Sequence, residues 1–351
     1  MKIGEKLLTA RKARQMTLND VAKALDISAM AVSKYENNQV APNSTMLIKL
    51  SKVLAFPVSF FFSPNTVELT KLAYRKKSRL LKSEEEAIDA RAQDWVDRYR
   101  QIEGFFELKA KKQKIVECVE KMRHLPLEKV EDAENWAQEF REIVGIGRDA
   151  IENMVGLLED IGIKVTFFEA DRGFDAVSFS EPDGGFVIVS NNKFPLARSR
   201  FTLAHELGHI LFNQYIPDTL DEEKVANRFA GALLVTQENM FDEIGVNRTG
   251  FSIKELISLK KKYGMSMNAF VYRSKDLGII TDSFAQQVFR KFRQEGWHII
   301  EPDEQNIECL PEKPQRMERM VGRLIAEELI SCSRARELLG YEPSEDLCEV
   351  I

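Results

Sequence analysis

The chain has 351 residues, 44% hydrophobic and 30% charged, with 50 Lys and Arg against 55 Asp and Glu. That balance excludes a mainly disordered chain and is enough for two or three folded domains. The first residues mix charges among apolar positions, so they lack the apolar run of a signal peptide. No later run is long enough to span a bilayer, and the expectation is a cytoplasmic protein with no membrane contact. The four cysteines, Cys118, Cys309, Cys332 and Cys348, form no C-x-x-C pair and read as reduced thiols.

Charge is distributed unevenly. Residues 1–66 hold nine Lys and Arg against four Asp and Glu, so this end is positive by five while the rest carries −10. The same stretch breaks into four or five short helical segments separated by turn signals, which predicts a compact all-α domain. Residues 67–125 are charged and helix-forming and read as a helical linker, with Arg75, Lys76, Lys77 and Arg79 as solvated surface. Over 126–250 the segments AENWAQEFREIVGIG and DAIENMVGLLEDIG have helical periodicity. The short runs KVTFF, AVSFS and GFVIVS read as three strands of a small sheet, and the helices FTLAHELGHILF and DEEKVANRFAGALLV follow. Residues 251–300 are again helical, and 301–351 form a C-terminal helical segment after a stretch interrupted by Pro302, Pro311 and Pro314.

Within the first domain, TLNDVAKALDISAMAVSKYENN has the spacing of a helix-turn-helix. Thr17 caps a helix with Leu18, Val21, Ala22 and Leu25 inward, Ile27 plugs the turn, and Ser28 caps a second helix with Val32 and Tyr35 inward. That leaves Ala29, Met30, Ser33, Lys34 and Asn37 on the outer face, where base edges of double-stranded DNA are met, while Thr17 and Asn43 sit at helix N-termini near phosphates. The whole segment from LLTARKARQMTLNDVA to KLSKVL resembles the lambda-repressor-like (Xre) helix-turn-helix family, which implies DNA binding and a homodimer on paired half-sites. Where that family often has glutamines, this chain has Ala29 and Met30, which favour apolar contact with thymine methyls.

The stretch HELGH carries the second chemistry. On a helix His205 and His209 lie one turn apart and project from one face, so both imidazoles reach one zinc ion at about 2.0–2.1 Å, and Glu206 on the adjoining strip has the position of a general base. An H-E-x-x-H arises by chance in a chain with four histidines on the order of a few times in a thousand, so satisfied core histidines are the weaker explanation. A catalytic zinc needs a third protein ligand. Phe212 and Tyr215 exclude the metzincin pattern. In the next helix Glu223 shares a face with core residues and is preferred over its neighbours Asp221 and Glu222, with Asn227 one turn on to hold a ligating imidazole from outside.

From about Trp136 to Ile280 the chain looks like the ImmA/IrrE family of zinc metallopeptidases. The likeness rests on MVGLLEDIGIKV, GGFVIVSNN, RSRFTLAHELGHILF, EKVANRFAGALLV and the helix-turn-helix-like LISLKKKYGMSMNAFVYRSKDLGII. The resemblance assigns His205, His209 and Glu223 to the metal, zinc or manganese in its place, and Glu206 to catalysis. It implies a zincin-like α+β fold and a protein substrate, a repressor of the Xre type. One departure is LLVTQ, where the family commonly has a proline after the leucines. The expected architecture is therefore multidomain: an all-α helix-turn-helix domain, then an α+β metallopeptidase domain with a three-stranded sheet, then further helices. The expected activity is a DNA-binding zinc endopeptidase that cleaves a regulatory protein or itself between Glu68 and Met122. The rival is a regulator that cuts nothing and whose peptidase-like domain senses a ligand or partner.

Overall fold

The computed structural model describes residues 3–62, 68–72, 80–106, 114–170, 173–212, 215–304 and 312–349. The basic run Arg75, Lys76, Lys77 and Arg79, together with Cys309 and Pro311, lies outside them. The chain divides into two compact units, one of residues 1–69, 78–109 and 315–351, the other of 70–77 and 110–314. Among the described residues no helix is long and apolar enough to cross a membrane.

The first unit opens with four helices, α1 (Ile3–Ala13), α2 (Leu18–Leu25), α3 (Ala29–Glu36) and α4 (Ser44–Leu54). Leu7, Val21, Ala22, Leu25, Val32, Leu47 and Leu50 are buried together, and Leu18, Ile27 and Tyr35 pack against them, as the periodicity requires. Thr17 and Asp20 form a reciprocal capping box on α2, Ser28 caps α3 and Asn43 caps α4, so each helix begins where a side-chain oxygen replaces the missing backbone acceptor. At Gly4 a Cβ would fall 2.3 Å from the carbonyl oxygens of Tyr35 and Glu36, so only glycine lets α1 meet the end of α3.

The long charged helix α5 (Lys82–Gly104) packs in this same unit, against α1. Its contact includes the buried ion pair Lys6 Nζ to Asp97 Oδ2 at 2.6 Å, with Lys6 also over the Phe60 ring. Helices α15 (Arg316–Ala326) and α16 (Cys332–Leu339) lie on α5, where Arg98 donates to the Leu338 carbonyl at 3.0 Å. Cys332 and Cys348 are joined as a disulfide. The expectation of four reduced thiols fails for this pair because the short helix α17 (Glu345–Cys348) folds back beside the start of α16, a contact that spacing along the chain does not show.

The second unit holds the sheet. Its strands are β1 (Thr70–Lys71), β2 (Lys164–Phe168), β3 (Ala176–Ser180) and β4 (Phe186–Asn191), in the order β1-β3-β4-β2, with β2 parallel to β4 and β3 antiparallel to it. The sheet thus has four strands instead of the expected three; the extra one is a two-residue segment that pairs across more than a hundred residues. Helices α6 (Lys114–Met122), α7 (Ala133–Val144) and α8 (Met154–Asp160) precede it in the large core. Helix α8 begins later than DAIENMVGLLEDIG suggests, because Asn153 Oδ1 accepts from the Gly156 amide and fixes the start there. The sheet is followed by α9 (Leu196–Phe212), α10 (Glu222–Leu234), α11 (Gln237–Ile244), α12 (Ile253–Tyr263), α13 (Met267–Asp276) and α14 (Asp282–Gln294).

Buried charges tie these helices together. Glu134 on α7 accepts from Arg273 of α13 through both oxygens at 2.7 Å and also pairs with Arg228 of α10. Burial alone would lift the Glu134 carboxyl, but the two arginines outweigh it and hold it below the usual range. Its depressed folded value means that this stabilisation is full above the ordinary glutamate range and is lost as pH falls through the folded value. Glu134→Gln is expected to cost about 3–5 kcal/mol at neutral pH, because two buried guanidiniums lose their carboxylate. Urea unfolding of both proteins checks this, and the gap between them should narrow in acid.

Candidate metal centre

Helix α9 runs through the core, with Leu203, Leu207 and Leu211 buried against the rest of the unit. At 3.6 residues per turn the opposite strip carries His205 and His209, and the next strip carries Thr202 and Glu206. Helix α10 lies directly alongside, and Gly208 makes this possible. A Cβ there would sit 3.2 Å from the Phe229 ring and 3.4 Å from the Ala226 Cα, so the two helices touch through the gap glycine leaves.

That approach brings Glu223 of α10 over the two imidazoles. Its carboxylate oxygens lie 3.5 Å from His205 Nε2 and 3.4 Å from His209 Nε2, and the two Nε2 atoms are 2.9 Å apart. Ligands around a tetrahedral zinc at ordinary bond lengths are separated by about 3.3 Å, so the three donor atoms converge as one ion demands. The other nitrogen of each ring is held from outside: His205 Nδ1 meets Asn227 Oδ1 at 3.0 Å and His209 Nδ1 meets Glu222 Oε1 at 2.8 Å. Both rings therefore turn Nε2 inward, the arrangement that prepares imidazoles for a metal. These residues fit a zinc ion, and His205, His209 and Glu223 together are the group of His, Cys, Asp or Glu side chains that can hold one among the described residues.

The structure brings together His205, His209, Glu223 and Asn227, with Glu206 buried on the adjoining strip. It separates the three acids at the start of α10: Asp221 caps the helix by accepting from the Lys224 amide, Glu222 holds His209, and Glu223 faces the shared centre. Sequence reasoning had Glu222 only as a competing ligand. The signal that finds its role is the need of every ligating histidine for an acceptor at its second nitrogen.

Burial works against a charge on His209, but hydrogen bonds to Glu222 and Glu223 and the nearby Glu206 carboxylate outweigh it and lift the imidazole to about 9. An ion taking Nε2 has to displace that proton. Beside the centre a cleft of about 540 Å³ opens, bounded by Phe201, Asn227, Tyr272, Trp297 and Ile299. Glu223 is half-exposed, while His205, Glu206 and His209 are buried.

In the first unit, Ser28, Met30, Lys34 and Asn37 are exposed on or beside α3, Ala29 and Ser33 are half-buried, and Met30 is 69% exposed. Thr17 and Asn43 are exposed at their caps, and the Asn37 amide donates to the Ser33 carbonyl at 2.9 Å.

Fold and site thus define a helix-turn-helix unit joined to an α+β unit with a converging His, His and Glu set. Residues 7–61 match the helix-turn-helix family model, and residues 158–275 match the model of a peptidase family described as the IrrE N-terminal-like domain. The chain thus carries a helix-turn-helix region followed by an IrrE-like domain, the combination of a DNA-binding regulator with a peptidase-like domain. Comparison with curated proteins gave no match.

Gly208→Ala is expected to push α10 outward by a few tenths of an ångström and to weaken zinc binding. Asn227→Ala and Glu222→Ala should each cost about 10–100-fold in zinc affinity. Competition titration against a chromophoric chelator reads all three.

Proposed function

We propose that this chain is a DNA-binding zinc endopeptidase that cleaves a regulatory protein. The observation that supports it best is the convergence of His205 Nε2, His209 Nε2 and the Glu223 carboxylate within one ion's reach, with Glu206 buried on the next strip of the same helix. His205, His209 and Glu223 would hold a zinc ion, which would supply Lewis-acid polarisation of the scissile carbonyl and ease deprotonation of water near neutral pH. Glu206 takes the proton from the attacking water at its carboxylate and returns it to the leaving amine. Asn227 and Glu222 keep both imidazoles in the ligating tautomer.

The substrate in this reading is an extended polypeptide whose backbone adds to the sheet and whose apolar side chain enters the cleft between Phe201, Tyr272 and Trp297. The helix-turn-helix places the enzyme at an operator, with Ala29, Met30, Ser33, Lys34 and Asn37 facing the major groove and Thr17, Ser28 and Asn43 near phosphates. A repressor bound beside it is then the nearest substrate. The protein acts in the cytoplasm, as a homodimer on paired half-sites.

Glu206→Gln is expected to keep its zinc and lose about 10²–10⁴-fold in cleavage rate. Comparing new protein N-termini in cells that express the wild type or the variant reads this directly. A fragment present only with the wild type names the substrate. Identical fragments and unchanged promoter activity would instead favour a sensor that cuts nothing.

A further inference from the structure

The position of β3 around α9 can be read from its neighbours. Going around the helix from α10, the strip with His205 and His209 is followed by that of Thr202 and Glu206, and then by Ser199 and Leu203. On the far side Arg200 donates to the Ile151 carbonyl at the start of α8, and α8 packs on β2. The sheet therefore approaches α9 with β2 on the side of α8 and β3 on the side of Glu206. Arg198, one strip-mate of His205, pairs with Asp175 immediately before β3 at 3.0 Å, which fixes the same order. The outer edge of β3 thus lies on the Glu206 side of α9.

That edge is covered by the chain's own segment. Thr70 pairs with Ser180 and Lys71 with Phe179, antiparallel, and in the same register the Leu72 amide donates to the Ser178 carbonyl at 2.9 Å. Alternation along β3 puts Ala176, Ser178 and Ser180 on one face and Val177 and Phe179 on the other. Leu72 sits opposite Ser178, on the face of the small residues, and is buried in the same core cluster as Val165, Ile188, Leu203 and Leu207. The buried Leu72 side chain and the short ladder both fasten the segment to this edge, while Glu68 and Thr70 stay exposed. Main-chain pairing for affinity and one side chain in a fitted hollow for specificity is how a sheet edge binds a foreign peptide.

We propose that the edge of β3 is the polypeptide-binding edge of the endopeptidase, and that Thr70–Leu72 occupies it as an internal competitor. The inference rests on the peptidase reading above and adds a state to it: substrate enters by displacing this segment. Its place directly after the DNA-binding helices in sequence puts the competitor on the stretch that leads out of that domain. The matching substrate is an extended segment with a leucine-like side chain at the position of Leu72.

The test uses the full-length, zinc-loaded protein and its Leu72→Asp and Leu72→Ala variants, each checked for wild-type circular dichroism and zinc content. Fluorescein-labelled casein serves as an unstructured substrate. Leu72→Asp should raise its cleavage at least fivefold, with Leu72→Ala between; if Leu72→Asp misfolds, Leu72→Ala carries the comparison. Where the wild type cleaves casein, unchanged or slower cleavage by a folded variant overturns the proposal. A second readout does not need catalysis: binding of the labelled peptide VELTKLAY, measured by anisotropy in a Glu206→Gln background. Binding at least tenfold tighter to Leu72→Ala than to the unreleased edge supports the competitor, even where no protein cleaves casein and the peptidase reading itself fails. Equal binding, or none to the released edge, overturns it.

Discussion

The contact between α9 and α10 at Gly208 is the constraint on which the site depends. Two histidines on one helix face are common to any i, i+4 placement, but a third donor has to come from a different element and stay within about an ångström of its place. Glycine at 208 lets the backbones meet, Phe229 and Phe212 close the gap edge to face, and the carboxylate of Glu223 is thereby carried over both imidazoles. The same helix delivers Asn227 to His205 and Glu222 to His209, so one rigid approach sets three of the groups that the centre needs besides its histidines.

Charge placement then decides which carboxylate does what. Asp221, Glu222 and Glu223 are adjacent in sequence, yet the first turn of a helix points them in different directions, and each finds a different partner: a backbone amide, an imidazole Nδ1, and the space between two Nε2 atoms. The cluster also charges His209 in the absence of an ion, so proton and metal compete for the same nitrogen. Such competition links occupancy of the centre to the pH around it.

Much of the site was legible because it is local. HELGH fixes two donors and an acid by helical spacing alone, and the face shared by Glu223 and Asn227 follows from the same period. The helix-turn-helix was legible for a similar reason, since its caps at Thr17, Ser28 and Asn43 and its inward residues recur at fixed offsets. What escaped is long-range. Thr70 and Lys71 sit in a stretch with helical composition and become a strand only because β3 has a free edge. The burial of Lys6 with Asp97 appears only when α1 and α5 meet. The pairing of Cys332 with Cys348 is hidden for the same reason.

The buried cations of the second unit have a further consequence. Arg200 near the start of the helix that carries His205 and His209 is neutralised by Glu312, Lys260 by Glu301 and Glu304, and Arg228 and Arg273 by Glu134. All four cations fall within the 158–275 stretch that matches the family model, and all four of their acids fall outside it. Cut at its recognisable borders, this domain would keep His205, His209 and Glu223 and strand four positive charges in its interior. The unit that folds is therefore wider than the unit that can be recognised, and the acids at its flanks belong to the domain as much as the motif does.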